Sequence, residues 1–188
     1  MNIFSIPFYK FSIEDWEDVK PHIINEYLKA DLKCINSNLL SDNQLYTDYY
    51  DIFQHKFMPE YLSNTLKILS PQIEKFFEQV SEFCDKSLIE KSRVTSAWYE
   101  RLEKNMNHPI HNHGAIGFSA VCYINFDKNI HLPTIFLAPF NSFLNGQTLH
   151  YQPDVDEGDI VFFPSFLQHY APTNTTDNNR LIFSFNIR

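Results

Sequence analysis

The chain has 188 residues, 44% of them hydrophobic and 16% aromatic, which suits one domain with a sizeable core. Its formal charge of -8, from 15 Lys and Arg against 23 Asp and Glu, argues against a nucleic-acid backbone or an anionic membrane as partner, since both would repel it. A small molecule or peptide, cationic ones included, is not excluded.

No run approaches the roughly 20 apolar residues that span a bilayer. The opening segment, MNIFSIPFYKF, lacks the basic and apolar regions of a signal peptide. The cysteines Cys34, Cys84 and Cys122 stand far apart, without a disulfide framework or zinc-ribbon spacing, so reduced thiols in a cytoplasmic protein are expected. Cys122, flanked by Val121 and Tyr123, reads as buried packing.

From residue 11 to about residue 90 the pattern is mainly helical. The first helix has Ser12 as its expected cap and Trp16, Val19, Ile23, Ile24 and Leu28 near helical spacing, with Pro21 expected to break or kink it. The segment NSNLLSDNQLYTDYYD, 36–51, reads as a polar loop. A second helical stretch follows, with an apolar stripe of Leu62, Leu66, Ile73, Phe77, Val80 and Phe83, and Pro71 suggests two helices meeting at Ser70.

Residues 93–188 change texture. RVTSAWYERLE, GFSAVCYINF, PTIFLAPF, DIVFFPS and RLIFSFNIR are aromatic and β-branched, separated by Asn, Asp, Gly and Pro clusters, the pattern of a β-sandwich or barrel. The expected class is α+β, mainly β: one domain over 1–188, with helical support packed on the β half. Only Gly114, Gly117, Gly146 and Gly158 are glycines, so no phosphate-cradling loop is present.

Three histidines fall in HPIHNH. If the segment is extended, His111 and His113 point to one face and can converge on a first-row metal; in a polar loop the pair would be a coincidence. His108, set apart by Pro109, reads as a loop histidine outside any ligand set. In EGDIVFFPSFLQHYAPTN, a turn at Gly158-Asp159 leads into an apolar strand, and His169 follows just beyond it. An imidazole delivered there needs a partner, either a backbone carbonyl or a metal shared with His111 and His113. Arg180 opens the last strand with no acidic neighbour in sequence. A buried guanidinium in that position suits a carboxylate ligand. Asp127, Asp154, Asp156 and Glu157 read as solvated loop charges, His131 and His150 as surface or supporting groups, and Phe118, Phe136, Phe162 and Phe163 as core.

The order of these features resembles the iron(II)- and 2-oxoglutarate-dependent oxygenases. More narrowly, it resembles a small group of them found often in phage and bacterial genomes. The likeness is carried by the leader NIFSIPFYKF, the tryptophan strand in SAWYERLEKNMNHPIHNH, Ser119 with the following Tyr-Ile, PTIFLAP, EGDIVFFPSFLQH, and Arg180 with SFN. It is dense from Ala97 to Arg188 and patchy before. The resemblance implies a double-stranded β-helix (jelly-roll) holding Fe(II) at its open end, with 2-oxoglutarate as cosubstrate. His111 and His169 would be metal ligands, Arg180 would bind the distal carboxylate, and Tyr123 would hydrogen-bond the same cosubstrate. The implied reaction is hydroxylation of a C–H bond with release of succinate and CO2.

Two departures stand out. The wider superfamily uses two histidines and one carboxylate, whereas here His113 takes the third position, either as a ligand or standing aside for water. Many relatives also carry a hydroxyl residue where this chain has Ile182; Ser184, on the same strand face, is the expected substitute. Two other readings remain: a three-histidine cupin dioxygenase that does not use 2-oxoglutarate, and a jelly-roll binding protein without turnover.

Overall fold

The computed structural model describes residues 5–36, 44–55 and 57–188. Among the described residues eleven strands form two antiparallel sheets. In chain order they are β1 (Tyr9–Ser12), β2 (Lys33–Asn36), β3 (Gln44–Thr47), β4 (Val94–Leu102), β5 (His108–His111), β6 (Phe118–Asn125), β7 (Ile135–Asn141), β8 (Thr148–Tyr151), β9 (Asp159–Pro164), β10 (His169–Ala171) and β11 (Arg180–Ile187). The larger sheet runs β1-β9-β6-β11-β4-β3-β2 and the smaller β5-β10-β7-β8. From β4 onward the chain winds between the two sheets, which is the double-stranded β-helix expected.

Strand alternation builds two cores from one sheet. Ala97, Tyr99, Cys122, Phe162, Phe183 and Phe185 face the helices, whereas Val121, Tyr123, Val161, Phe163 and Ile182 face the smaller sheet. Both faces are dry, so these strands read as continuous apolar runs. Every residue of β11 is buried, which leaves Arg180, Ser184 and Asn186 pointing into the jelly-roll interior rather than into water.

The helices cover the outer face: α1 (Trp16–Tyr27), α2 (Tyr49–His55), α3 (Glu60–Ile68), α4 (Ser70–Val80) and the short α5 (Lys86–Ile89). The break at Pro71 is present, with α3 and α4 meeting at Leu69. Pro21 does not end α1. It lies on the exposed side, so the Glu17 carbonyl it leaves without an intrahelical donor meets solvent. Ser12 is not the cap either: Asp15, at φ 51°, starts the helix, and the Ser12 hydroxyl donates to Asp159 Oδ1 at 2.6 Å. In α4 the buried aromatic is Phe76 rather than Phe77, and Phe83 is exposed.

The expected loop at 36–51 is corrected most. Its described residues are the last of β2, all of β3 and the start of α2, and β3 pairs with β4 through Tyr46↔Arg101, extending the larger sheet. Residues 37–43 of that segment, and the first four of the N-terminal leader, lie outside the described residues. Gly158 is the turn glycine expected before β9. Its φ is +84°, and a Cβ there would come within 2.7 Å of the Trp16 ring. Among the described residues, no helix is long and apolar enough to cross a membrane.

Candidate metal centre and cosubstrate pocket

Strand pairing brings the histidines together. β5 and β10 are neighbours, and His169 lies directly opposite His111 in their register. His113 is two residues further on, past the end of β5, where its amide donates to the Ser165 carbonyl at 2.9 Å. The three side chains offer ligand nitrogens that all lie within 4.8 Å of one another.

Hydrogen bonds set which nitrogen each ring presents. His111 Nδ1 donates to the Pro109 carbonyl at 2.8 Å, and His169 Nδ1 donates to the Leu167 carbonyl at 2.9 Å. Both therefore turn an Nε2 lone pair inward. His113 Nε2 sits 3.2 Å from His169 Nε2. Two nitrogens bound at right angles to one cation at roughly 2.1 Å stand about 3 Å apart, so the spacing fits a shared first-row metal. Burial holds His111 down to about 4 and His113 to about 3, with the neighbouring imidazoles adding repulsion, and it holds His169 well below the usual range. All three are neutral near pH 7, the state that binds a metal.

Around the triad the packing is aromatic. Trp98 stacks on His113 at 5.3 Å and 18°, and Phe163 meets His169 at 4.8 Å. His108 is on β5 rather than in a loop; its ring stacks on His111 at 3.9 Å and 13°. Its Nδ1 donates to Glu100 Oε2 at 2.8 Å. Burial disfavours the charged form of Glu100, but attraction to His108, Arg180 and His111 outweighs it, and the carboxyl is held down to about 2.

Arg180 is 2% exposed, with Nη2 donating to Thr134 Oγ1 at 3.0 Å. Its Nε and Nη1 are buried and have no partner among the described residues. Two orphaned guanidinium donors in a dry interior are costly unless an anion meets them. The Tyr123 ring lies 5.6 Å from the guanidinium carbon, and its hydroxyl accepts from the Thr134 amide at 3.2 Å. Thr134, Ser184 and Ile182 line a small chamber shared with the three histidines, so Ser184 does face the site. The residues thus suit both a metal and a carboxylate cosubstrate.

Beside this chamber opens a cleft of about 430 Å³, walled by Leu45, Tyr49, Tyr50 and Trp98 and reaching Glu100, His111 and His113. Sequence reasoning missed Glu100, Thr134 and the β2–β3 wall. A charge at an inward position of an apolar strand, next to Trp98 by alternation, was the available signal for Glu100; Thr134 carried none. His131, expected as a surface or supporting group, is 5% exposed and accepts from the Asp127 amide. Glu157 is half-buried and ties Lys20 and Trp16 to the Phe126 amide.

Fold and site together define a class: a double-stranded β-helix whose inner face carries a histidine triad and a buried arginine. Residues 96–186 match the model of the family described as "Putative 2OG-Fe(II) oxygenase", which indicates a 2-oxoglutarate-dependent non-heme iron oxygenase, an enzyme class that uses Fe(II) and 2-oxoglutarate. Solved structures agree on the fold. A Pseudomonas putida prolyl-4-hydroxylase superposes with TM-score 0.64 at 11% identity, covering 98% of this chain and 94% of its own. The viral collagen prolyl hydroxylase of Paramecium Bursaria Chlorella virus-1, in its 2OG complex, gives 0.61 at 13%, covering 96% and 95%. The alpha ketoglutarate-dependent epimerase SnoN from nogalamycin biosynthesis gives 0.63 at 12%, covering 97% and 78%. No curated protein sequence matches the chain.

Proposed function

We propose that the protein is a hydroxylase that oxidises a C–H bond of a small molecule or peptide and releases succinate and CO2, acting in the cytoplasm. The observation that carries this reading is the convergence of three neutral imidazoles beside a buried arginine with two unpartnered donors. His111, His113 and His169 would hold iron(II). Arg180 would hold the distal carboxylate of 2-oxoglutarate, with Tyr123 and Ser184 alongside.

When bound, iron and 2-oxoglutarate would supply the activation of dioxygen and the oxidative decarboxylation that drives hydroxylation. The chain's own residues position and shield. The carbonyls of Pro109 and Leu167 fix two ring orientations, so the inward nitrogens need no reorganisation. Phe136 and Phe163 pack beside His169 and keep water from that side. Thr134 braces Nη2 and leaves Nε and Nη1, on different edges of the guanidinium, as charge-assisted donors for the cosubstrate's carboxylate. The aromatic cleft beside the triad would seat the substrate, with Trp98 forming both its wall and the backing of His113. The three free cysteines, Cys34, Cys84 and Cys122, support a reducing compartment.

A three-histidine set is also the ligand set of cupin dioxygenases that do without 2-oxoglutarate, and one assay separates the two. Purified protein given Fe(II), dioxygen and 2-oxoglutarate is expected to form succinate, with at least a tenfold loss in Arg180→Ala and no detectable activity in His169→Ala. Succinate formation indifferent to Arg180→Ala would overturn the proposal.

A further inference from the structure

The metal reading leaves one charge unaccounted for. A face of two histidines and one carboxylate brings a negative charge to its dication, but this triad brings none. Buried alongside is Arg180, a further positive charge. A site so composed would carry one positive charge more than a carboxylate-containing one, in an interior where charge is weakly screened.

Glu100 is the carboxylate among the described residues that line the chamber and the cleft. It stands on β4 two residues from Trp98, both facing inward, and is 3% exposed. It reaches the triad through a defined path: Oε2 accepts from His108 Nδ1 at 2.8 Å, and the His108 ring lies 3.9 Å from that of His111, nearly parallel.

Resting on the metal reading above, we propose that Glu100 is a positioning residue that supplies, from outside the ligand set, the negative charge that His113 does not bring. It lowers the cost of placing a dication among neutral imidazoles, and through His108 it orients His111. The arrangement separates two jobs that a ligating carboxylate performs together, since the ligand atoms come from histidine and the charge from one strand away.

A purely structural role for Glu100 would weaken every ligand alike. A charge role has opposite signs for opposite ligands. The test is equilibrium binding of Co(II) to metal-free full-length protein, followed by binding of 2-oxoglutarate to the Co(II)-loaded form, for wild type, Glu100→Gln and Glu100→Asp, with melting curves recorded. Glu100→Gln is expected to weaken Co(II) by about tenfold to a hundredfold, the size seen for lost outer partners of metal ligands. It should leave 2-oxoglutarate binding unweakened or tighter, because a like charge has gone. Glu100→Asp, which keeps the charge, is expected to stay within about threefold of wild type for Co(II); if Glu100→Gln fails to fold, this variant carries the test. Unchanged Co(II) affinity in Glu100→Gln, a parallel loss of both ligands, or a large loss in Glu100→Asp would overturn the assignment. In those cases Co(II) binding abolished by His169→Ala would leave the metal centre standing. Co(II) binding indifferent to His169→Ala would remove the metal centre, and this proposal with it.

Discussion

Asp48 carries a charge problem unrelated to the triad. Its carboxyl lies 3% exposed between the larger sheet and the helices, accepting from the Tyr99 amide at 2.9 Å and the Tyr61 hydroxyl at 2.8 Å. Burial pushes it from 3.8 up to about 6, and the two donors pull it only part of the way back. A carboxyl whose folded value lies above its unfolded one stabilises the fold fully below the unfolded value and loses that contribution as pH rises through the folded one. Asp48 therefore makes the protein more stable relative to Asp48→Asn at pH 4 than at pH 7. The difference is on the order of 3 kcal/mol for a shift of about two units. Urea denaturation of both proteins across pH 4 to 7 should show wild type falling toward the variant; parallel curves would refute the account. The same accounting explains why Glu100, also buried, behaves in the opposite way: it has the His108 hydrogen bond and the Arg180 guanidinium nearby, whereas Asp48 has neutral donors and the like-charged Asp51.

Elements were legible where one physical rule dominated. The five aromatic segments beyond residue 93 became β4, β6, β7, β9 and β11, and in β6, β9 and β11 dry faces on both sides demand continuous apolar runs. The short strands β5, β8 and β10 are polar or only three to four residues long, and their pairing is set by partners distant in sequence. Periodicity could not find them, although β5 and β10 carry the site. His111, His113 and His169 were readable as candidates from residue type and order, and Arg180 from a charge with no local partner. The β2–β3 hairpin was hidden because its residues look like turn formers. In α4 the neighbouring Phe76 and Phe77 left the phase of the stripe ambiguous, and the structure puts Phe76 against Phe162 at 4.4 Å and 7°. Phe76→Ala is accordingly expected to cost about 3–5 kcal/mol, and Phe77→Ala, partly exposed, on the order of 1 kcal/mol. Chemical denaturation checks the order, and equal losses would mean that the buried face of α4 is misassigned.

At the scale of the whole molecule, one sheet divides two kinds of interior. Its outer face meets the helices in a core of aliphatic and aromatic side chains, whereas its inner face holds Arg180, Glu100, Ser184 and Asn186 among apolar neighbours. Buried charges on that scale cost stability unless they are paired. Here two guanidinium nitrogens have no partner among the described residues, so the fold is poised for an anion at that address. The histidines line a small chamber together with Thr134, the residue Arg180 donates to, at a strand pair whose register places His111 opposite His169. Metal and cosubstrate are then predicted to bind as one linked event, each completing the site for the other.

Calorimetric titration of 2-oxoglutarate into the protein, with and without Mn(II), tests that linkage directly. One 2-oxoglutarate per chain should bind when Mn(II) is present, with affinity falling at least tenfold when the metal is withheld or Arg180 is replaced by alanine. Binding of equal strength in all three samples would mean that neither the triad nor the arginine holds the cosubstrate, and the site described here would not be an oxygenase centre.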